Sequence, residues 1–436
     1  MKFRYFTRIV LLLTCALPLC ASDTTAHDVA ANTFMINNLW IIIGAMLVFL
    51  MHLGFSMLES GLCRIKNCTN ILFKNTLTPA IGFLAFALCG FSLMFPTESH
   101  WVVNEVLTFS GFGVHVPGGD PMAYNGTCTF LTFFLFQGMF AATTATIVSG
   151  AVAERVKLSS YLIFTLFYVA LVYPILGSWG WGGGWLASLN FHDFAGSTFV
   201  HSIGGWGALA GVIMLGPRIG KYVKGEPKAL PGHNMPIAVI GTFCLWLGWF
   251  GFNGASALNA DPATISYVLV TTMLAASAGV IGSMFSSLVF IKKPDLSMIL
   301  NGCLAGLVAI TAGTDCIGLM SSIVVGLIAG VIVVPAVLVF DRLHLDDPVG
   351  ALSVHLVNGI WGTLAVGIFT KEYSFGTQLL GVVTIGAASF ASALFLFWAI
   401  KKVFGLRVSE EEEMRGLDIS EHGMEAYPGF QFFSNQ

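Results

Sequence analysis

Charged residues are scarce in this sequence. Lys, Arg, Asp and Glu make up 10% of the 436 residues, and hydrophobic residues make up 56%. Soluble domains carry roughly 25% charged residues. Long apolar runs recur from end to end, so we predict an all-α polytopic membrane protein. The net charge of −3 offers no basic surface, so no nucleic-acid partner is expected.

Cysteine is also sparse, with nine residues scattered singly. Cys63 and Cys68 are the only close pair, and their spacing matches no common metal motif. We interpret the cysteines as small apolar residues. We therefore expect no cofactor and no bound metal.

The N-terminus has the pattern of a signal peptide. Three basic residues precede the apolar run 9–19, and small residues follow at 20–22. We predict that residues 1–21 are a cleaved signal peptide, which places the mature N-terminus outside. The alternative is a retained, short first helix.

Eleven further apolar segments predict eleven transmembrane helices within a domain at 22–403. Their approximate spans are 37–60, 77–95, 126–153, 159–178, 198–216, 235–258, 264–290, 296–313, 317–340, 348–369 and 376–402. The eighth is the weakest, because Asn301 and several glycines dilute it. A polar, acidic tail follows at 404–436.

The distribution of basic residues predicts the orientation in the membrane. Of the 20 Lys and Arg, three lie in the signal segment, and 16 of the other 17 follow odd-numbered helices; Lys371 is the exception. Lys and Arg concentrate in cytoplasmic loops. We therefore predict a multi-pass protein of the cell (inner) membrane, with the N-terminus outside and the tail cytoplasmic.

Two stretches of the chain read alike. Asp193 is followed eight residues later by His201, Asp347 is followed eight residues later by His355, and a Gly/Trp/Leu-Ala run follows each histidine. Asp is a preferred N-cap, and eight helical residues advance about 12 Å, close to half of a roughly 30 Å hydrocarbon core. The two helices run in opposite directions, so both histidines should reach the midplane. This pattern predicts an inverted repeat of helices 1–5 and 6–10.

Two midplane histidines have three explanations. They could be packing residues, they could ligate haem or a metal, or they could line a conduction path. Aromatic residues at helical spacing favour the last, because aromatic faces attract small cations. These residues, with one serine on the same face, are Phe136, Phe140, Trp249, Phe252 and Ser256, and Trp181 lies in an outer Gly-rich loop.

Several ordered motifs resemble the ammonium transporter (Amt/Mep/Rhesus) family, in its bacterial-type Amt branch. They are Phe136-Gln-Gly-Met-Phe140, Trp181-Gly-Gly-Gly, Asp193-Phe-Ala-Gly with His201, Gly248-Trp-Phe-Gly-Phe-Asn-Gly-Ala-Ser256, Asn301-Gly-Cys-Leu-Ala-Gly and Asp346-Asp-Pro-Val-Gly with His355. The resemblance covers about residues 35–430 and includes the tail run Gly416-Leu-Asp-Ile-Ser-Glu-His-Gly.

The resemblance implies a role for each of these residues. Phe140, Trp181 and Ser256 would form the external recruitment site, with Asp193 beneath it. Phe136, Phe140 and Phe252 would form the gate. His201, His355 and Trp249 would line the pore. It also implies a non-enzymatic ammonium/ammonia transporter in the lipid bilayer. The family forms homotrimers with one pore per subunit, and a PII-type protein blocks some members at the cytoplasmic face. His52 has no assigned role.

Selection against potassium needs hydrogen bonding, because ammonium donates hydrogen bonds and potassium does not. Ser256 could accept one such bond. A bare cation is costly beyond the aromatic gate, so loss of a proton would leave neutral ammonia to pass. Whether that proton returns outside or crosses separately stays open. Two rival functions are an ammonium sensor and a membrane redox protein with haem between the histidines.

Overall fold

The fold is a bundle of long apolar helices, seen in a computed structural model of the chain. The structure describes residues 3–96, 101–120, 122 and 126–429, with side chains from residue 28 onward. Within those residues, ten helices are long and apolar enough to cross a membrane, and a shorter apolar helix lies among them. The predicted signal peptide, 1–21, lies outside the residues whose side chains are described.

The helical spans match the predicted segments in number and order. They are α1 (Asp28–Leu62, the apolar part of the helix Phe3–Leu62), α2 (Ile65–Met94), α3 (Phe130–Ala151), α4 (Leu158–Ser178), α5 (Ser197–Leu215), α6 (Met235–Ala257), α7 (Pro262–Phe290), α8 (Leu296–Ile310), α9 (Leu319–Arg342), α10 (Leu352–Phe369) and α11 (Phe375–Val403). The tail adds α12 (Glu410–Arg415) and α13 (Leu417–His422). Two small antiparallel hairpins lie in loops: β1 (Trp101–Val103) with β2 (Leu107–Thr108), and β3 (Tyr222–Val223) with β4 (Glu226–Pro227).

One boundary was wrong by a wide margin. The second span was predicted to begin near residue 77, with Lys74 in the preceding loop, but α2 begins at Ile65 and contains Lys74. Asn67, Asn70, Lys74 and Asn75 lower the hydropathy of its first half, yet all four are buried. Each of the four makes at least one hydrogen bond to another segment of the chain, which allows a polar helix to enter the bundle.

Equivalent helices of the two halves pack against each other. A Cβ on Gly54 of α1 would lie 2.8 Å from the Leu245 side chain of α6, and one on Gly251 would lie 2.4 Å from that of Leu47. Along this contact residue numbers rise in one helix and fall in the other, so the helices are antiparallel. Small residues permit such close approach of membrane helices, and the antiparallel pairing agrees with the predicted inverted repeat.

Candidate functional site

Each predicted pore histidine lies in a π-helical turn at the start of its helix. His201 is in the turn Ser197–Ser202 of α5, and His355 is in the turn Leu352–Val357 of α10. Single π-helical turns inside α-helices are rare and occur frequently at functional sites. The two halves of the protein thus present their histidines in the same local structure.

An aspartate caps each of these turns, as predicted. Asp193 accepts hydrogen bonds from four backbone N–H groups, those of residues 196–199, at 2.8–2.9 Å. Asp347 accepts them from residues 349, 350 and 352 at 2.7–3.2 Å. Gly196 and Gly350 each lie three residues after their aspartate with φ of +115° and +85°. That left-handed conformation favours glycine, so Asp-x-x-Gly is the structural unit of the repeat.

Two glycines bring the histidine-bearing helices together. A Cβ on Gly205, four residues after His201, would lie 2.6 Å from the Cα of Leu356. A Cβ on Gly359, four residues after His355, would lie 2.6 Å from the carbonyl oxygen of Ser197. Both contacts are with backbone, so no side chain fits at either position. The approach of α5 and α10 therefore depends on this glycine pair.

The two histidines are in direct contact. Nδ1 of His201 is 3.2 Å from Nδ1 of His355, and the rings are nearly parallel at 22°. His201 is fully buried, and no hydrogen-bond partner for its Nε2 lies among the described residues. One Nδ1 must donate and the other must accept. The Nε2 of His201 is therefore left free to donate or accept a further hydrogen bond.

This contact argues against haem between the histidines. An iron ligated by both rings would lie between the two nitrogens, which would then be about 4 Å apart at metal–nitrogen distances of about 2 Å. The observed 3.2 Å separation is too short for the two Nδ1 atoms to ligate a haem iron from opposite faces. The haem hypothesis therefore does not fit the geometry.

A continuous aromatic stack covers the outer side of His201. Its ring stacks on Trp249 at 5.0 Å and on Phe252 at 5.3 Å. Phe252 contacts Phe140 at 4.2 Å, and Phe140 contacts Phe136 at 4.7 Å. Phe140 is thus the ring that contacts both other predicted gate residues, Phe136 and Phe252.

A cavity of about 220 Å³ lies beyond the stack. Its lining includes four of the predicted recruitment and gate residues, namely Phe136, Phe140, Trp181 and Ser256. Ser256 donates its hydroxyl hydrogen to the carbonyl oxygen of Phe252 at 2.7 Å, which leaves its lone pairs to accept from a bound cation. The Trp181 indole is fixed by donation to the carbonyl oxygen of Asp193 at 2.7 Å. Aromatic faces and the Ser256 oxygen suit a small hydrogen-bond-donating cation.

His192, beside Asp193, belongs to a second polar cluster. Its Nε2 is 3.1 Å from Asp315, and its ring stacks on Tyr373 at 4.1 Å. Potential ligand atoms of His192, Asp315 and Cys316 all lie within 4.8 Å of one another, so these three could hold a metal ion. Sequence spacing gave no signal for this group, because His192 lies 123 residues before Asp315.

Other polar residues near the histidines were missed by sequence analysis. Glu59 and Asn301 line a cavity of about 20 Å³ that also reaches His355. His52 borders a cleft among α1, α2 and α3, and its Nδ1 is 3.4 Å from the Thr146 hydroxyl.

The tail packs against the segments that directly follow α1, α3 and α5. Lys66, after α1, donates to the carbonyl oxygen of Glu413 at 2.7 Å. The backbone N–H of Leu158, after α3, donates to Glu421 at 3.0 Å, and that of Ile219, after α5, donates to Glu413 at 2.7 Å. The tail and the segments after helices 1, 3 and 5 therefore share one face of the bundle.

A buried charge cluster joins this face to the pore helix α10. Arg218 bonds Asp346 at 2.8 and 2.9 Å and Glu154 at 3.0 Å, and Glu154 also pairs with Arg64. Burial alone would raise the pKa of Asp346, but the hydrogen bonds and charge of Arg218 hold that pKa well below its usual range. Asp346 is therefore a carboxylate at neutral pH, next to the capping residue Asp347.

Comparison with known proteins gives a consistent result. The sequence profile described as the Ammonium Transporter Family matches residues 39–427. The ammonium transporter Amt2 of Archaeoglobus fulgidus is 43% identical over 423 residues, covering 90% of this chain and 88% of that protein. The structure described as a sensor Amt protein matches with a TM-score of 0.83 at 38% identity, covering 90% and 99%. Candida albicans Mep2 matches with a TM-score of 0.77 at 29% identity, covering 87% of each chain.

Proposed function

The chain belongs to the ammonium transporter family, and on that premise we propose that it recruits ammonium in the aromatic vestibule and conducts ammonia through the twin-histidine pore. It is a multi-pass ammonium transporter, not an enzyme. The observation that carries the mechanism is the 3.2 Å Nδ1–Nδ1 contact of His201 and His355 directly behind the aromatic stack.

Recruitment uses a cation–π site with one hydrogen-bond acceptor. Phe140 and Trp181 meet edge to face at 6.0 Å beside Ser256. Cation–π attraction contributes about 0.5–2 kcal/mol and does not distinguish ammonium from potassium. The Ser256 oxygen makes that distinction, because ammonium can donate to it. Asp193 supports the site indirectly, through its carbonyl bond to Trp181 and its cap on the π-helical turn.

Deprotonation follows at the gate. The rings of Phe140 and Phe252 are buried and apolar, and an unpaired charge in such surroundings is very costly. Ammonium therefore gives up a proton, and neutral ammonia moves past Trp249 to the histidines. Each imidazole can donate and accept a hydrogen bond, so the pair can hold ammonia or water in single file.

The orientation, assembly and domain limits belong to this proposal. Contacts between the tail and the segments after helices 1, 3 and 5 support a cytoplasmic face with the mature N-terminus outside. We place the transport domain at 22–403 after a cleaved signal peptide, in a homotrimer with one pore per subunit. The docked tail is the surface that a PII-type protein would cover.

Ammonium-triggered current in liposomes containing the purified protein tests the transport mechanism. We expect current with ammonium and none with potassium, and loss of both current and ammonium uptake in a His201→Ala, His355→Ala double variant. Uptake that is unchanged in the double variant would reject the twin-histidine pore.

A sensor role is a second candidate, because the docked tail gives a route from the pore to a partner. Binding of a partner that changes with ammonium while uptake is absent would favour it.

A further inference from the structure

A buried carboxylate lies on the far side of the histidine pair from the vestibule. Glu59 is 2% exposed and lies three residues before the end of α1. Asn75 and Ser149 donate to its Oε2, each at 2.8 Å. Oε1 is buried and has no hydrogen-bond partner among the described residues. One carboxylate oxygen is thus fixed, and the other is free to accept.

A small cavity connects this carboxylate to the pore. The cavity of about 20 Å³ is lined by His355, Glu59, Asn301 and apolar side chains. A site needs roughly 10–15 Å³ and two or more polar partners to hold one water. His355, Glu59 and the unpaired Oδ1 of Asn301 supply those partners. The geometry therefore suits one water between ring and carboxylate.

If Glu59 served only to neutralise the charge of Lys74, its unpaired Oε1 would have no explanation. The Lys74 ammonium donates to the carbonyl oxygen of Ser149 at 2.7 Å and lies over the Tyr161 ring. Ser149 stands between the two charges, because its hydroxyl group bonds Glu59. The lysine charge can hold Glu59 as a carboxylate, but it leaves Oε1 unpaired.

We propose that Glu59 is the proton acceptor on the tail side of the twin-histidine pair, an inference that rests on the proposed function. Ammonium at the gate transfers one proton to the unpaired Nε2 of His201, and His201 passes its Nδ1 proton to Nδ1 of His355. The protonated ring transfers one proton to the cavity water, and that water transfers one to Oε1 of Glu59. The ring returns to its neutral form, and the carboxylate becomes a neutral acid. Release of its proton to the nearby aqueous face restores the carboxylate.

The test separates charge movement from ammonia permeation in liposomes. For Glu59→Gln we expect ammonium-triggered current to fall by at least about 100-fold, at the low end of what a positioned proton acceptor supplies. Permeation of ammonia, followed by an internal pH dye, should match wild type. Glu226→Gln is the matched control, because it makes the same chemical change at an exposed glutamate of a loop strand; it should conduct as wild type.

Glu59→Asp covers the case in which the glutamine variant does not fold. It keeps the charge that faces Lys74 but withdraws the carboxylate from the water, so its current should fall while its ammonia permeation stays. Wild-type current in either Glu59 variant would overturn the proposal. Equal loss of current and permeation in a folded variant would also overturn it, in favour of a structural role. Uptake without current in the wild type would reject the relay and leave ammonium transport standing.

Discussion

Replacing Gly205 with alanine should separate the two pore histidines. The new Cβ would lie 2.6 Å from the backbone N and Cα of Leu356, the residue after His355. Backbone atoms cannot rotate away as a side chain can, so α5 and α10 must move apart. The clash is removed most directly if the two helices shift apart at the level of the histidines.

The size of that shift follows from the contact distances. Non-bonded carbon atoms pack at about 3.5–4.0 Å, so the helices must separate by about 1 Å. The Nδ1–Nδ1 distance would then grow from 3.2 Å to about 4 Å, beyond hydrogen-bond range. Overpacking of this kind costs about 1–3 kcal/mol in stability. We expect a folded protein with a broken histidine contact.

Liposome current and thermal unfolding in detergent measure the two effects. Gly205→Ala should lose most of its ammonium-triggered current and unfold at lower temperature. Gly376→Ala is the control, because its Cβ would meet only the Ser374 hydroxyl at 3.5 Å, and both measurements should match wild type. If Gly205→Ala keeps wild-type current and stability, the glycine contact does not set the spacing of the histidines.

Four further predictions follow from the site. Trp181→Leu and Ser256→Ala should each weaken the apparent affinity for ammonium by about 0.5–2 kcal/mol. Each should also relax selectivity against methylammonium more than it lowers the maximal flux. Unchanged affinity and selectivity would mean that the recruitment site is misplaced. His201→Ala should lose proton-coupled current, and His201→Asp should admit potassium, both read as liposome currents against wild type. Removal of 404–436 should lower uptake yet leave the trimer on a native gel, and a monomer there would contradict this. The Asp346 carboxylate should stabilise the fold at any pH above about 3.9, the pKa of an aspartate in the unfolded chain, and this contribution should disappear as the pH falls further. The unfolding temperature should therefore drop less in acid for Asp346→Asn than for wild type.

The sequence determined the features that depend on neighbouring residues. Span number follows from runs of apolar residues matched to the thickness of a bilayer. The caps of Asp193 and Asp347 follow from the preference of aspartate for helix starts, and the helical rise placed both histidines at one depth. Family motifs supplied the recruitment residues that now line one cavity. Each of these inferences uses residues that lie within a few helical turns of one another in the sequence.

The tertiary structure alone decided which polar residues are buried. Lys74 was assigned to a loop, because its side chain lowers the local hydropathy, yet it bonds the carbonyl oxygen of Ser149, 75 residues away. Glu59 gave no signal in the sequence, and its partner Ser149 is 90 residues away. Burial of a charge depends on partners brought by other helices. No local pattern contains those partners, so only the assembled bundle places Glu59 beside the pore.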